Sequence, residues 1–175
     1  MRKFTVRDLT LAAMVAALYA VMGYFGNIFG LTFGPVQCRF AEALTVLPFV
    51  FPAAAPGLVV GCFLTNLLSL YGPLDMVFGT LATAIAAWLT MKMPRWYLAA
   101  LPPILVNAVI LPPIWAWTEV GAVNPAFWAA CGFNVGTFIP GEALACYVLG
   151  TLLLFALPKV PVLRPYAQKQ KLTRI

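Results

Sequence analysis

The sequence predicts an all-α integral membrane protein, a bundle of six transmembrane helices with both termini cytoplasmic, forming one membrane domain over residues 1–175. Three observations predict it. Of the 175 residues, 63% are hydrophobic and only 9% charged, whereas a soluble domain carries about 25% charged residues to hydrate its surface. The apolar stretches recur at the length of a membrane crossing, about 20 residues for a hydrocarbon core of roughly 30 Å, so that about 120 residues serve six helices. The basic residues are also confined to the chain ends and one connection, apart from Arg39.

The elements follow in order. Thr5 and Asp8 have the spacing of a capping box, which satisfies two free N–H groups at a helix start, and they open a helix over about 8–26. Met1-Arg2-Lys3 before an apolar run has the look of a signal peptide. Ala12, Ala13, Ala16, Ala17 and Ala20 are never two apart, so no A-x-A cleavage site follows and the helix is expected to be retained. The uncharged run from Ala43 to Leu74 spans 32 residues, too long for one crossing. Pro52, Pro56 and Gly57 divide it, because proline lacks a donor and clashes with the preceding turn. Helices are therefore expected over 38–54 and 57–71, and further ones over 75–92, 96–116 and 134–157.

Lys and Arg are retained on the cytoplasmic side of membranes. Six crossings with both ends inside place Arg2, Lys3, Arg7, Lys92, Arg95, Lys159, Arg164, Lys169, Lys171 and Arg174 in the cytoplasm, and only Arg39 outside. The net charge of +6 is thus explained by topology and implies no nucleic-acid partner; the basic tail suits anionic lipid. No lysine precedes Ser or Thr, so there is no P-loop. Histidine is absent, and Cys38, Cys62, Cys131 and Cys146 have no C-x-x-C spacing; no metal site and no enzymatic activity are expected, and the cysteines read as small apolar fillers. No internal repeat suggests two inverted halves.

The acids are more informative. Apart from Asp8, all lie toward the outer face: Glu42, Asp75, Glu119 and Glu142. Ionisable groups within membrane spans are costly and face a cavity or a partner. Glu42 and Glu142 are expected to line an outward-facing pocket, although Glu42 also stands three residues from Arg39, which suits a structural pair on one helix face. Asp75 suits either the pocket or a helix cap, and Glu119 a solvated loop. The amides Asn66 and Asn107 lie in apolar helices, with Gln37 and Asn134 nearer the outer ends; each suits ligand contact or interhelical hydrogen bonding. Trp115, Trp117 and Trp128 gather at the outer end of the fifth helix, as belt residues or as a lid that stacks on a ligand ring.

A third feature faces elsewhere. Ala12, Ala16 and Ala20 recur every four residues, as do Ala13 and Ala17. Such strips let another helix backbone approach closely, either inside the bundle or on a separate membrane subunit, which a chain without its own motor requires.

The run Thr5-Val6-Arg7-Asp8-Leu9-Thr10 leading into the alanine strip resembles the start of the substrate-binding (S) components of energy-coupling factor (ECF) transporters. More narrowly, Gly34 to Pro48 (GPVQCRFAEALTVLP), with Leu74 to Gly79, Pro102-Pro103 through Asn107, and Gly141-Glu142, is similar to the QueT family of queuosine precursor transporters. The likeness covers essentially the whole chain and is weakest over 119–133.

The resemblance implies a prokaryotic plasma-membrane protein that captures substrate outside and delivers it inward with a transmembrane T subunit and two cytoplasmic ATPases. The ATPases use ATP; this chain holds no cofactor. The alanine strip would be the T-subunit docking surface. The implied ligand is a 7-deazaguanine, queuine or 7-aminomethyl-7-deazaguanine. Its guanine-like edge offers a ring N–H and an amino group that one carboxylate accepts in parallel, and a primary ammonium suits a second. Glu42 and Glu142 are the expected partners, in either order. Asn107, Arg39, Gln37, Asp75 and Asn66 complete the expected set. The rival is a self-sufficient proton-coupled carrier of a small cationic or heterocyclic solute, with Glu42 or Glu142 as the proton site.

Overall fold

The computed structural model describes residues 5–30 and 39–173, and every regular element among them is helical. Helix α1 covers Val6–Ile28. A 3-10 helix follows at Phe40–Phe49, then α2 at Ala54–Asn66 and α3 at Gly72–Lys92. After a single turn at Trp96–Leu98, α4 covers Leu101–Val120. Helix α5, Pro125–Ala143, runs on through a π-helical stretch, Leu144–Gly150, into α6, Thr151–Ala156. A tail with two short turns ends in α7, Lys169–Leu172.

The capping box at the start of α1 is present: the Thr5 N–H donates to Asp8 Oδ2 at 2.9 Å, and the Asp8 N–H to Thr5 Oγ1 at 3.3 Å. Elsewhere the expected boundaries need correction. Four stretches of the described chain are long and apolar enough to cross a membrane: Val6–Ile28, Gly72–Lys92, Trp96–Val120 and Pro125–Lys159. The expected helices over 38–54 and 57–71 are instead the ten-residue 3-10 helix and the 13-residue α2, each too short to cross alone.

Pro48 lies inside the 3-10 helix, and Ala41 through Phe49 are all buried. An element enclosed on every side owes little to amphipathic periodicity. At about 2.0 Å rise per residue, ten residues of 3-10 helix reach about 20 Å, further than the same residues in an α-helix.

The segment 119–133, expected as a loop, is largely helical. Glu119 lies in the last turn of α4, which Gly121 ends at φ +74°, donating its N–H to the Trp117 carbonyl at 2.8 Å. A left-handed residue past a helix end is the position glycine fills at least cost. Helix α5 then starts at Pro125 rather than near 134. Its N-cap Asn124 accepts the Phe127 N–H at 3.0 Å, and proline at the first helical position lacks only a donor that would have no partner there.

Helix α1 packs on α2 through small residues. Ala12, Ala16 and Ala20 are buried. A Cβ added at Gly61 would stand 2.7 Å from the Tyr19 Cβ and 2.8 Å from the Ala16 carbonyl, and one at Gly57 would collide with the Ala12 carbonyl. This row of the alanine strip is therefore an intramolecular helix contact, not the free docking surface expected of it. The second row, Ala13 and Ala17, is exposed.

The tail folds back across one end of the bundle. The Gln168 N–H donates to the Val50 carbonyl at 2.9 Å. The Lys171 Nζ donates to the Met93 carbonyl and lies 4.6 Å from the centre of the Phe49 ring. Thr5 and Arg7 share a surface hollow with Pro165 and Tyr166. The start of α1, the end of α3 and the tail thus meet at the same end.

Candidate functional site

Glu42 enters the bundle on the 3-10 helix, where residues three apart eclipse one another and the Thr45 hydroxyl donates to the Glu42 carbonyl at 2.6 Å. Its carboxyl accepts the Tyr19 hydroxyl of α1 at 2.5 Å, on Oε1. Glu142, near the end of α5, accepts the Asn107 amide of α4 at 2.8 Å, again on Oε1. All four side chains are buried. The two carboxyls and the Asn107 amide also interact across the bundle, so four separate elements bring these groups together.

The remaining oxygens define the chemistry. Glu42 Oε2, Glu142 Oε2 and Asn107 Oδ1 are buried, and none has a hydrogen-bond partner among the described residues. Three acceptors without donors in a low-dielectric interior are costly. Acceptors of this kind are satisfied by N–H donors, most strongly by charged ones.

A second cluster centres on Asp75, at the start of α3. Its Oδ2 pairs with Arg39 at 3.2 Å and accepts the Ser69 hydroxyl at 2.7 Å, and its Oδ1 accepts the Trp115 indole N–H at 3.2 Å. The Arg39 guanidinium lies 5.6 Å from the Trp115 ring centre. The ion pair of Arg39 thus reaches Asp75 on another helix, where spacing alone suggested Glu42. Asn66 donates to the Asp75 backbone carbonyl at 3.0 Å and contacts Cys62 Sγ at 3.4 Å. It ties α2 to α3 rather than presenting its amide to the glutamates.

Toward the surface, Tyr71 stacks on Trp115 with ring centres 5.2 Å apart and planes 21° apart, and Phe138 meets Trp115 nearly edge-on at 5.5 Å. The Tyr71 hydroxyl donates to Glu119 at 3.3 Å, and the Asn134 amide contacts both Glu119 oxygens at 3.3 Å. Burial, with the Glu119 carboxylate adding to it, pushes the Tyr71 phenol up to about 12, so it remains a donor at neutral pH. Glu119 is therefore a helical residue clasping three elements, not a loop acid. Of the three outer tryptophans, Trp115 is buried in the site, while Trp117 and Trp128 are exposed. Gln37 and Cys38 lie outside the described residues; Cys62, Cys131 and Cys146 are free thiols.

Glu42, Glu142 and Asn107 were legible as buried polar groups in apolar stretches. Tyr19, Ser69 and Tyr71 were not singled out. Tyr19 carried a usable signal, since a phenol three residues after Ala16, on the close-packing face of α1, must find an acceptor when buried.

The model of the QueT transporter family matches residues 9–159, which include Tyr19, Glu42, Asp75, Asn107 and Glu142. The chain belongs to the QueT transporter family. It is similar to the queuosine precursor transporter QueT of Lactococcus lactis subsp. cremoris (strain MG1363), with 29% identity over 85 residues, 49% of this chain and 50% of that protein. The chain thus spans about half the length of the curated relative it matches. No solved structure matches it. QueT family membership and the apolar spans together make this a multi-pass membrane protein of a transporter family, not of an enzyme family.

Proposed function

We propose that this QueT family member binds a queuosine precursor, a 7-deazaguanine such as queuine or 7-aminomethyl-7-deazaguanine, and delivers it across the plasma membrane as the S component of an ECF transporter. The observation that carries the reading is the trio of buried acceptors, Glu42 Oε2, Glu142 Oε2 and Asn107 Oδ1, without donors among the described residues. A guanine-type edge supplies a ring N–H and an amino group to one carboxylate. The aminomethyl ammonium supplies charge to the other, and the pyrrole N–H suits the Asn107 oxygen. Arg39 and Asp75 neutralise one another and shape the site through Trp115.

Six crossings with both termini inside, two of them made by the short segments together with the residues that flank them, agree with the clustering of Arg7, Lys92 and the basic tail at one end. The T subunit, with its two ATPases, docks on the exposed row of α1. Ala17 there lines an apolar hollow of about 390 Å³ with Met14, Leu18, Leu47, Leu153 and Leu157, a lipid-level surface suited to a partner helix.

Calorimetric titration of the purified chain tests the ligand: 7-aminomethyl-7-deazaguanine or queuine binds and adenine does not. Equal binding of adenine overturns the carboxylate reading. Uptake into liposomes by this chain alone, driven by a proton gradient without ATPases, establishes the proton-coupled carrier instead.

A further inference from the structure

The glutamate carboxyls are useful to a ligand only if their free oxygens are held in place. A carboxyl rotates broadly about its last torsion, and a rotating acceptor loses affinity to the entropy of fixing it. Glu142 is held by Asn107. For Glu42, the Thr45 hydroxyl is engaged by the backbone carbonyl, not the carboxyl. The close donor is the Tyr19 hydroxyl, at 2.5 Å from Oε1 and buried with it, and the Asn107 amide is a further neighbour of the carboxyl. Tyr19 is seated in turn by α2, because the absent side chain of Gly61 is what lets the Tyr19 Cβ and the Ala16 carbonyl sit where they do.

We propose that Tyr19 is a positioning residue for ligand recognition: it fixes the Glu42 carboxyl so that Oε2 is the oxygen offered, and Gly61 fixes Tyr19. The inference rests on Glu42 binding the ligand, as proposed above, but its geometry is testable without a ligand. A chain of three contacts, Gly61 to Tyr19 to Glu42, then makes affinity depend on the close packing of α1 on α2, at residues that need not touch the ligand.

The test is a double-mutant cycle read by calorimetry with 7-aminomethyl-7-deazaguanine, together with infrared spectra of the ligand-free protein. Tyr19→Phe is expected to weaken binding about tenfold and to add nothing once Glu42→Gln is present. Gly61→Ala is expected to weaken binding similarly and to add nothing to Tyr19→Phe. In the infrared, the carboxyl band that Glu42→Gln abolishes is expected to shift in both Tyr19→Phe and Gly61→Ala. Wild-type affinity in Tyr19→Phe, additive losses, or an unmoved Glu42 band overturns the proposal. If the wild-type chain binds no 7-deazaguanine, the ligand reading fails, while the infrared shift still decides whether Tyr19 holds Glu42. Should Tyr19→Phe not fold, 3-fluorotyrosine at position 19 perturbs the same bond, and an unmoved band overturns the proposal equally.

Discussion

Asn107 on α4 donates its amide to Glu142 on α5 at 2.8 Å and leaves one acceptor on each partner without a donor among the described residues. The bond makes a single acceptor surface out of two consecutive helices, from residues 35 apart in the chain. It also means that either residue, once changed, disturbs the other.

Glu142→Gln is expected to weaken binding of 7-aminomethyl-7-deazaguanine by about 100-fold, because a charged acceptor in a buried site contributes about 2–3 kcal/mol. Titration calorimetry measures it. An unchanged dissociation constant would remove Glu142 from the site.

Asp75→Asn leaves the buried Arg39 guanidinium without its carboxylate. Breaking one side of a buried pair costs about 3–5 kcal/mol, so thermal unfolding in detergent is expected at a clearly lower temperature. Adding Arg39→Met to Asp75→Asn should recover much of that loss, since both charges of the pair are then removed together. A double variant as unstable as the single would show that the pair acts chiefly through Trp115.

The two rows of small residues on α1 should respond differently. Gly57→Ala and Ala16→Trp place atoms where the α1–α2 contact leaves no room and are expected to destabilise the fold. Ala17→Trp lies on the exposed row and is expected to leave stability and ligand binding intact while stopping ATP-driven uptake in the reconstituted complex. Full uptake by Ala17→Trp would move the docking surface elsewhere.

Lys171→Met removes the ammonium that caps the Met93 carbonyl beside Phe49. A loss of about 1 kcal/mol is expected, read as a lower unfolding temperature, with hydrogen exchange at Val50 and Gln168 rising as the tail loosens. Unaltered exchange would mean that the Gln168–Val50 bond holds the tail unaided.

Much of the site was legible because the solvent of the surrounding chain is hydrocarbon. A carboxylate or amide in such a stretch needs a partner, so Glu42, Asn107 and Glu142 announced themselves individually. The start of α5 was also encoded locally, in Asn124 followed by Pro125, although the apolar pattern alone suggested a later start. The 3-10 helix was not legible. Its residues are buried all round, and a segment without a solvent-facing side leaves no periodicity from which to read its helical type.

By itself, the sequence determined that the chain belongs in a membrane, where its basic ends gather, and which polar side chains had to be accounted for. Composition and residue type decide these, since each follows from the cost of moving a group out of water. Partner choice was decided only by the tertiary structure. Arg39 stands three residues from Glu42 yet pairs with Asp75, and Glu42 takes its hydrogen bond from Tyr19 on α1. Spacing along one helix limits which groups can meet, but the lowest-energy pairing inside a bundle is set by whichever helix packs closest, and at α1 that is set by the glycines of α2.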